Sequence, residues 1–315
     1  MQNQSDNIVF YHGNCLDGTA SAWVAMHYLP KDTIYLPAFY QAGLEEDIKM
    51  VQQCQDRKVW FLDWCPEIEQ LDKCEMVAEH VTIIDHHESA IKKLDNHAYT
   101  AYNPPKLTLF LAHENEWSGA MGTAIWFHSH NVAGTFDMSW KPEIHNLSLH
   151  WLVRAVDDRD RWQFKLPGTR QINEGLGTLT LDPSLWFAIV MDHKMEHHLF
   201  EIGEALLLKM YGQVNQIIDA CAFYTEGMAI CNCPYHLASE VGNQLAAKNR
   251  LAILYFIDKT GAYSVSLRSN DKVEGWVNCA ELATKLGGGG HANAAGFKTN
   301  EDFKFTLAKI KQSIG

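Results

Sequence analysis

In the N-terminal third of the chain, short apolar runs alternate with longer stretches of helical periodicity. Ile8 to Tyr11 is apolar and breaks into the polar HGNCLDG of positions 12–18. Apolar residues then resume at helical spacing through TASAWVAMHYL. Thr33 to Phe39 reads as a second strand and Glu45 to Gln55 as a helix. Lys58 to Leu62 is a third strand, ending at Asp63, and Pro66 suits the first turn of a helix through PEIEQLDKCEMVAEH. Val81 to Ile84 is β-branched at every position, which favours a strand. It stops at three ionisable residues, Asp85, His86 and His87. Strands separated by helices predict a parallel sheet.

Beyond Thr100 the pattern weakens. Trp117 to His128 reads as a helix that starts on the small residues Ser118, Gly119 and Ala120. Ile144 to Val156 reads as another, running into Asp157, Asp158, Arg159, Asp160, Arg161 and Trp162. Those three acids are either a further source of ligands or a solvated helix end paired with Arg159 and Arg161. Leu185 to Cys221 has apolar residues at helical spacing and predicts one long helix. His193 and His197 stand four apart there, but no H-E-x-x-H pattern accompanies them. With His198 they read as surface or interface residues.

From Thr225 the texture changes. GMAICNC, LAILYFI and AYSVSLRS read as strands, and the helix AELATKL leads into GGGGHANAAGF at 287–297. The expected class is therefore α/β. Residues 1–190 form a parallel-sheet domain with helices on both faces. Residues 191–224 are a connecting helix, and residues 225–315 a smaller α/β domain. No internal repeat or low-complexity stretch interrupts this plan.

Composition narrows the picture. The 315 residues are 47% hydrophobic and 20% charged, with 11% aromatic residues to build a core. The net charge of −12 argues against broad electrostatic binding to long nucleic acid, and leaves room for a short anionic substrate held locally. No apolar run reaches membrane-spanning length. MQNQSDNIVFYH has no basic segment followed by an apolar one, so no secretory signal is expected. The eight cysteines lack paired zinc-finger spacing, which predicts reduced thiols in a cytoplasmic protein.

Three predicted strands end in potential metal ligands. In parallel sheets, ligands bind beyond the carboxyl ends of the strands, where strand order reverses. His12, Asp17, Asp63, Asp85, His86 and His87 are therefore expected along one edge. An Asp–His cluster without cysteine pairs suits divalent metals that accept mixed oxygen and nitrogen ligands. Mn²⁺ fits best, with Mg²⁺, Co²⁺ or Zn²⁺ as alternatives. Two ions bridged by carboxylates suit phosphoryl transfer. The glycines of GGGGH let backbone N–H groups approach an anion, and His291 with Arg268 suits a terminal phosphate.

HGNCLDG, the Asp63 of FLDW, IIDHH and GGGGHANAAGF, in this order, resemble the motifs of the DHH phosphoesterase family with its DHH-associated C-terminal domain. The likeness is to the oligoribonuclease and exonuclease-like branch, and VDDRDRW matches the family's late metal-binding aspartate more loosely. The resemblance implies Asp17, Asp63, His86 and Asp158 as ligands of one Mn²⁺. It implies His12 and Asp63 at a second, with Asp63 bridging. Asp85 would orient His86, and His87 would sit close to the scissile phosphate. Arg268, Gly289, Gly290 and His291 would hold a substrate phosphate or nucleotide. Asp157 and Asp160 are alternatives to Asp158. Many relatives carry D-x-D in the first motif, whereas here Cys15 stands two before Asp17. The second metal site is accordingly expected to be weaker, to use Cys15 or water, or to be empty at low metal.

The activity implied is Mn²⁺-dependent hydrolysis of nucleotide phosphodiesters, with short oligonucleotides cut from an end. Cyclic-dinucleotide and 3′-phosphonucleotide hydrolysis are alternatives within the same resemblance. A nucleotide-binding module with degenerate catalysis is the alternative of another class.

Overall fold

The computed structural model describes residues 5–40, 43–95, 106–113, 116–130, 150–190, 192 and 194–314. Two compact units divide the chain, Met1–Leu207 and Leu208–Gly315.

The first unit begins with β1 (Asn7–His12), α1 (Leu16–Ala25), β2 (Ile34–Ala38), α2 (Leu44–Cys54), β3 (Lys58–Leu62), α3 (Ile68–Val77), β4 (His80–Asp85), α4 (Glu88–Asp95) and β5 (Leu107–Leu111). The five strands are parallel throughout, in the order β2-β1-β3-β4-β5. Alternating strand residues face opposite ways. Ile8, Phe10, Val59, Phe61, Val81 and Ile83 pack on Cys54 of α2, Leu71 and Cys74 of α3, and Leu94 of α4. Val9, Tyr11, Leu62 and Ile84 pack on the other face, against Ala22 and Ala25 of α1 and Phe127 of α5 (Gly119–Ser129). Both faces are thus covered by helices, as a parallel sheet requires.

A helical layer continues outward through α6 (Trp151–Asp160), α7 (Thr169–Leu176), α8 (Pro183–Ile189) and α9 (Met195–Cys221). It shares a core of Trp23, Val24, Ala124, Leu152, Val156 and Trp186. The long helix expected over 185–221 is 27-residue α9, preceded by short α8. Asp182 caps α8, accepting from the Ser184 N–H at 2.8 Å. The helix expected from Ile144 is seen from Trp151; positions 144–149 lie outside the described residues, as does His193. His197 is exposed and pairs with Glu201 at 3.4 Å.

The second unit follows with β6 (Ala222–Thr225), β7 (Met228–Asn232), α10 (Ala238–Ala246), β8 (Leu251–Ile257), β9 (Tyr263–Arg268), α11 (Cys279–Lys285), β10 (Gly289–His291), β11 (Ala294–Thr299) and α12 (Phe303–Ile314). Its mixed sheet runs β10-β11-β9-β8-β7-β6, with only β7 and β8 parallel. Ile230, Ile253 and Leu267 meet α11 and α12 on one face. Ala229, Ala252 and Leu254 meet α10 on the other. No helix among the described residues is long and apolar enough to cross a membrane.

Ile83 is fully buried in β4, between two neighbouring strands. Ile83→Ala removes its packing and leaves a cavity, costing about 2–5 kcal/mol. Denaturant unfolding will show this as a lowered midpoint with an unchanged slope.

Candidate functional site

The strand order places the ends of β1, β3 and β4 side by side. The chain reverses direction across the sheet between β1 and β3, so this edge is the switch point. His12 ends β1, Asp63 follows β3, and Asp85, His86 and His87 end or follow β4. Asp17 enters from the first turn of α1.

Asp63 is the centre. It has a left-handed backbone, φ 56°, uncommon outside glycine and a mark of functional sites. Its N–H is held by the Ile84 carbonyl at 2.8 Å. The turn delivers a fully buried carboxylate to three imidazoles. His12 Nδ1 lies 3.3 Å from Oδ2, and His86 Nε2 lies 3.1 Å and His87 Nδ1 3.8 Å from Oδ1. Burial would raise the Asp63 pKa, but the surrounding rings outweigh it and hold this carboxyl well below its usual range.

The helix α5 supplies the other half of the support. Asp17 Oδ1 accepts from the Ser118 hydroxyl at 2.8 Å and the Ala120 N–H at 2.9 Å, and Oδ2 accepts from the Gly119 N–H at 2.6 Å. A buried carboxylate thus sits on the positive end of a helix. Burial and the neighbouring Asp63 and Asp160 carboxylates nonetheless push Asp17 well up. Gly119 also makes room for Asp63, because a Cβ there would come within 2.5 Å of the Asp63 side chain.

Two groups of candidate ligand atoms result, His12 with Asp63 and His87, and Asp17 with Asp63 and His86. Within each group the atoms lie within 4.8 Å of one another. Asp63 belongs to both. The donors are carboxylate oxygens and imidazole nitrogens, the set that suits divalent cations. The fit is supported by Asp63 Oδ1, which is buried and accepts no well-formed hydrogen bond. A buried carboxylate oxygen left in that state is costly unless a cation or a proton meets it.

Several expected roles are corrected by the geometry. Asp85 does not orient His86. Its Oδ1 accepts from the backbone N–H groups of His86 (2.7 Å) and His87 (3.0 Å), and lies 2.7 Å from His87 Nδ1. Asp85 therefore fixes the His87 ring, which joins His12 and Asp63 in the first group. Asp158 does not reach the cluster. Its carboxylate accepts from the N–H groups of Lys165 and Leu166, both at 2.9 Å, and from the Thr169 hydroxyl at 2.6 Å. It ties the loop after α6 to the start of α7. Asp160 Oδ2 instead lies 3.5 Å from His86 Nε2. Asp157 Oδ1 accepts the Ser118 N–H at 2.9 Å, and its Oδ2 pairs with Arg161. Cys15 stands outside both groups, and burial beside Asp63 and Asp17 pushes its thiol pKa up.

In the second unit, register aligns the expected phosphate-binding residues. His291 pairs with Ala294, Ala294 with Arg268, and Arg268 with Ala252. Directly paired residues in antiparallel strands share a face. Arg268 and His291 therefore stand on one face with small Ala294 between them. The Arg268 guanidinium donates to Ser239 Oγ at 3.0 Å and to the Leu267 carbonyl at 2.9 Å. Gly289 and Gly290 form the edge strand β10, and Gly290 has φ 139°, open to glycine.

These features define a class: an α/β protein with a shared acid–imidazole cluster at its sheet switch point and a separate mixed-sheet unit carrying a glycine-rich edge. Residues 236–315 match the DHHA1 domain. This is the C-terminal domain of the DHH family, and the match covers the second unit from α10 onward. It is 22% identical to the uncharacterized protein R106 of Acanthamoeba polyphaga mimivirus, over 92% of this chain and 66% of that protein. Its fold is similar to that of an exopolyphosphatase-related protein from Bacteroides fragilis, at a TM-score of 0.53 and 14% identity, covering 99% of this chain and 92% of that one. A pGpG-specific phosphodiesterase, PggH, from Vibrio cholerae aligns at 0.49 and 15% identity, over 98% of each chain.

Exchanging the two aspartates separates their roles. Asp158→Asn lowers stability by about 1–3 kcal/mol through its lost charge-assisted bonds, read in a thermal or urea melt. Asp160→Asn leaves the melt within about 0.5 kcal/mol and weakens Mn²⁺ binding in calorimetry.

The pH dependence of that binding follows from His86. Burial works against its charge, but Asp63, Asp17 and Asp160 outweigh this and raise its pKa to about 10. A ligating imidazole must be neutral, so below that pH a cation displaces a proton. Affinity for Mn²⁺ therefore rises with pH, by up to about tenfold per unit between about pH 6 and about pH 8. Titrations in that range check the slope, and a flat profile would remove His86 from the ligand set.

Proposed function

We propose that this chain is a Mn²⁺-dependent phosphodiesterase that hydrolyses nucleotide phosphodiester bonds, acting on short oligonucleotides from an end. The observation that carries this reading is the pair of ligand groups sharing Asp63. A bridging carboxylate with imidazoles on either side is the donor arrangement of two-ion phosphoryl-transfer sites. His12, Asp17, Asp63 and His86 would hold the cations, with Asp160 in place of Asp158. The chemistry a divalent cation supplies at such a site is Lewis acidity and activation of water. Mg²⁺ or Co²⁺ would serve the same donors.

The chain's own residues account for the rest. Asp63 and Asp17 concentrate negative charge where a cation is needed. With its Nδ1 tied to Asp85, His87 keeps Nε2 to hold a cation or to carry a proton at the phosphate. In the second unit, Arg268 and His291 offer donors on one face for a phosphate, beside the close-approaching glycines of β10. The eight free thiols support a cytoplasmic setting.

The test uses the purified protein with Mn²⁺ and a panel of di- to pentanucleotides, a cyclic dinucleotide, a 3′-phosphonucleotide and inorganic polyphosphate. Short oligonucleotides are expected to give the highest kcat/KM. A cyclic dinucleotide or 3′-phosphonucleotide in first place would move the substrate within the phosphoester class. No cleavage of any ester, with Mn²⁺ binding shown by calorimetry, would leave a binding module in which Cys15 has replaced a catalytic acid.

Asp63→Ala should lower kcat by at least about a thousandfold, since both groups lose their shared ligand. His291→Ala should raise KM more than it lowers kcat. Near-normal rates in the Asp63 variant would overturn the assignment of the cluster.

A further inference from the structure

A cavity of about 720 Å³ opens on the α2/α3 face of the first unit's sheet, at the same edge as the cluster. Its volume lies within the range of small-molecule sites. Phe10, Phe39, Tyr40 and Trp64 supply aromatic walls, and Gln53 and Gln70 supply amides. Tyr40 joins it to the cluster. Its ring stands edge-on to His12 at 5.4 Å and lies 5.8 Å from Trp64. Phe39 is seated against Gly13, directly after His12, where any Cβ would collide with the phenyl ring.

The polar lining is selective. Glu46 and Asp47 face Lys49, the one Lys or Arg among the lining residues, whose ammonium is held by Glu45 at 2.7 Å; Glu67 is paired with Lys93 at 2.7 Å. Such a rim repels phosphate and welcomes N–H donors. Gln70 Nε2 donates to Asp47 Oδ1 at 2.9 Å, which fixes the Asp47 carboxylate and leaves the Gln70 carbonyl as a second acceptor. Trp64 is almost fully buried, yet its indole N–H has no hydrogen-bond partner. The indole nitrogen is sealed from solvent, so Trp64 offers the cavity an aromatic wall and no donor. Flat aromatic walls and an acceptor-rich rim meet the requirements of a nucleobase.

We propose that this cavity is a nucleobase pocket that seats the base of a nucleotide beside the metal cluster, with guanine preferred. Guanine presents two parallel N–H donors to a single carboxylate, here Asp47. The inference deepens the nucleotide phosphodiesterase reading and rests on it for the position of the phosphate.

Nucleosides without phosphate isolate the pocket from the cluster and from Arg268 and His291. Calorimetry with guanosine, adenosine, cytidine and uridine on the wild-type chain should rank guanosine first, at least about tenfold above uridine. Asp47→Asn retains an acceptor for Gln70 but loses the carboxylate, and should bring the guanosine-to-uridine ratio to within about twofold. Trp64→Ala removes an aromatic wall, and should weaken all four nucleosides together. Equal affinity for all four nucleosides in the wild type, an unchanged ratio in Asp47→Asn, or unchanged affinities in Trp64→Ala, each with native circular dichroism, would overturn the pocket. Turnover of bis(p-nitrophenyl) phosphate by the wild-type chain tests the phosphodiesterase reading separately, since that ester carries no base. Its failure, alongside guanosine binding that depends on Asp47, would remove the reaction and keep the pocket.

Discussion

One buried carboxylate, Asp63, sets the terms for the first unit. It sits at the sheet switch point in a left-handed conformation, with three imidazoles within 3.8 Å of its oxygens. An ion there is tolerable only if its surroundings are charged or strongly polar. The rest of the edge answers that demand. His12, His86 and His87 approach it directly, and Gly119 withdraws to let it fit. The cluster is a consequence of where β3 ends and how the chain turns out of it.

Around that anion the helix ends act as fixed dipoles. The first turn of α5 holds Asp17 through two backbone N–H groups and the Ser118 hydroxyl, and Asp157 of α6 holds the Ser118 N–H in turn. The acids of the α6 end have thus been divided among tasks. Asp157 braces α5, Asp158 closes the loop into α7, and Asp160 looks towards His86. Three consecutive-looking carboxylates have three physical environments, and Asp160 is the one that pairs closely with a cluster imidazole.

Much of this was legible in the chain. His12, Asp63 and Asp85 to His87 each stand at the point where an apolar strand turns polar, and a parallel sheet brings such points together. The α/β class follows from the same alternation. The late aspartate was harder to assign, because its choice depends on helix phase. Asp157 and Asp160 are three apart and share a face, whereas Asp158 is turned about 100° away. Weighing that phase would have favoured the pair over Asp158. The task of Asp85 was hidden for a different reason. Which imidazole it meets depends on the turn after β4, and residue order does not specify that turn. Strand β5 was missed because LTLFL is short and half-buried, with neither strict alternation nor the length of a clear element.

The hydrogen bonds that assemble the edge span long stretches of chain. His12 and Asp63 are 51 positions apart, Asp17 and Gly119 are 102 apart, and Ser118 and Asp157 are 39 apart. Closing loops of that size costs entropy before any contact rewards it. No short segment of the first unit contains the site. The cluster exists only once the sheet is complete, so a cation that binds there binds the finished fold and not its precursors. Occupancy and folding of the first unit are then linked, and an ion that binds there adds its binding free energy to the stability of the native state.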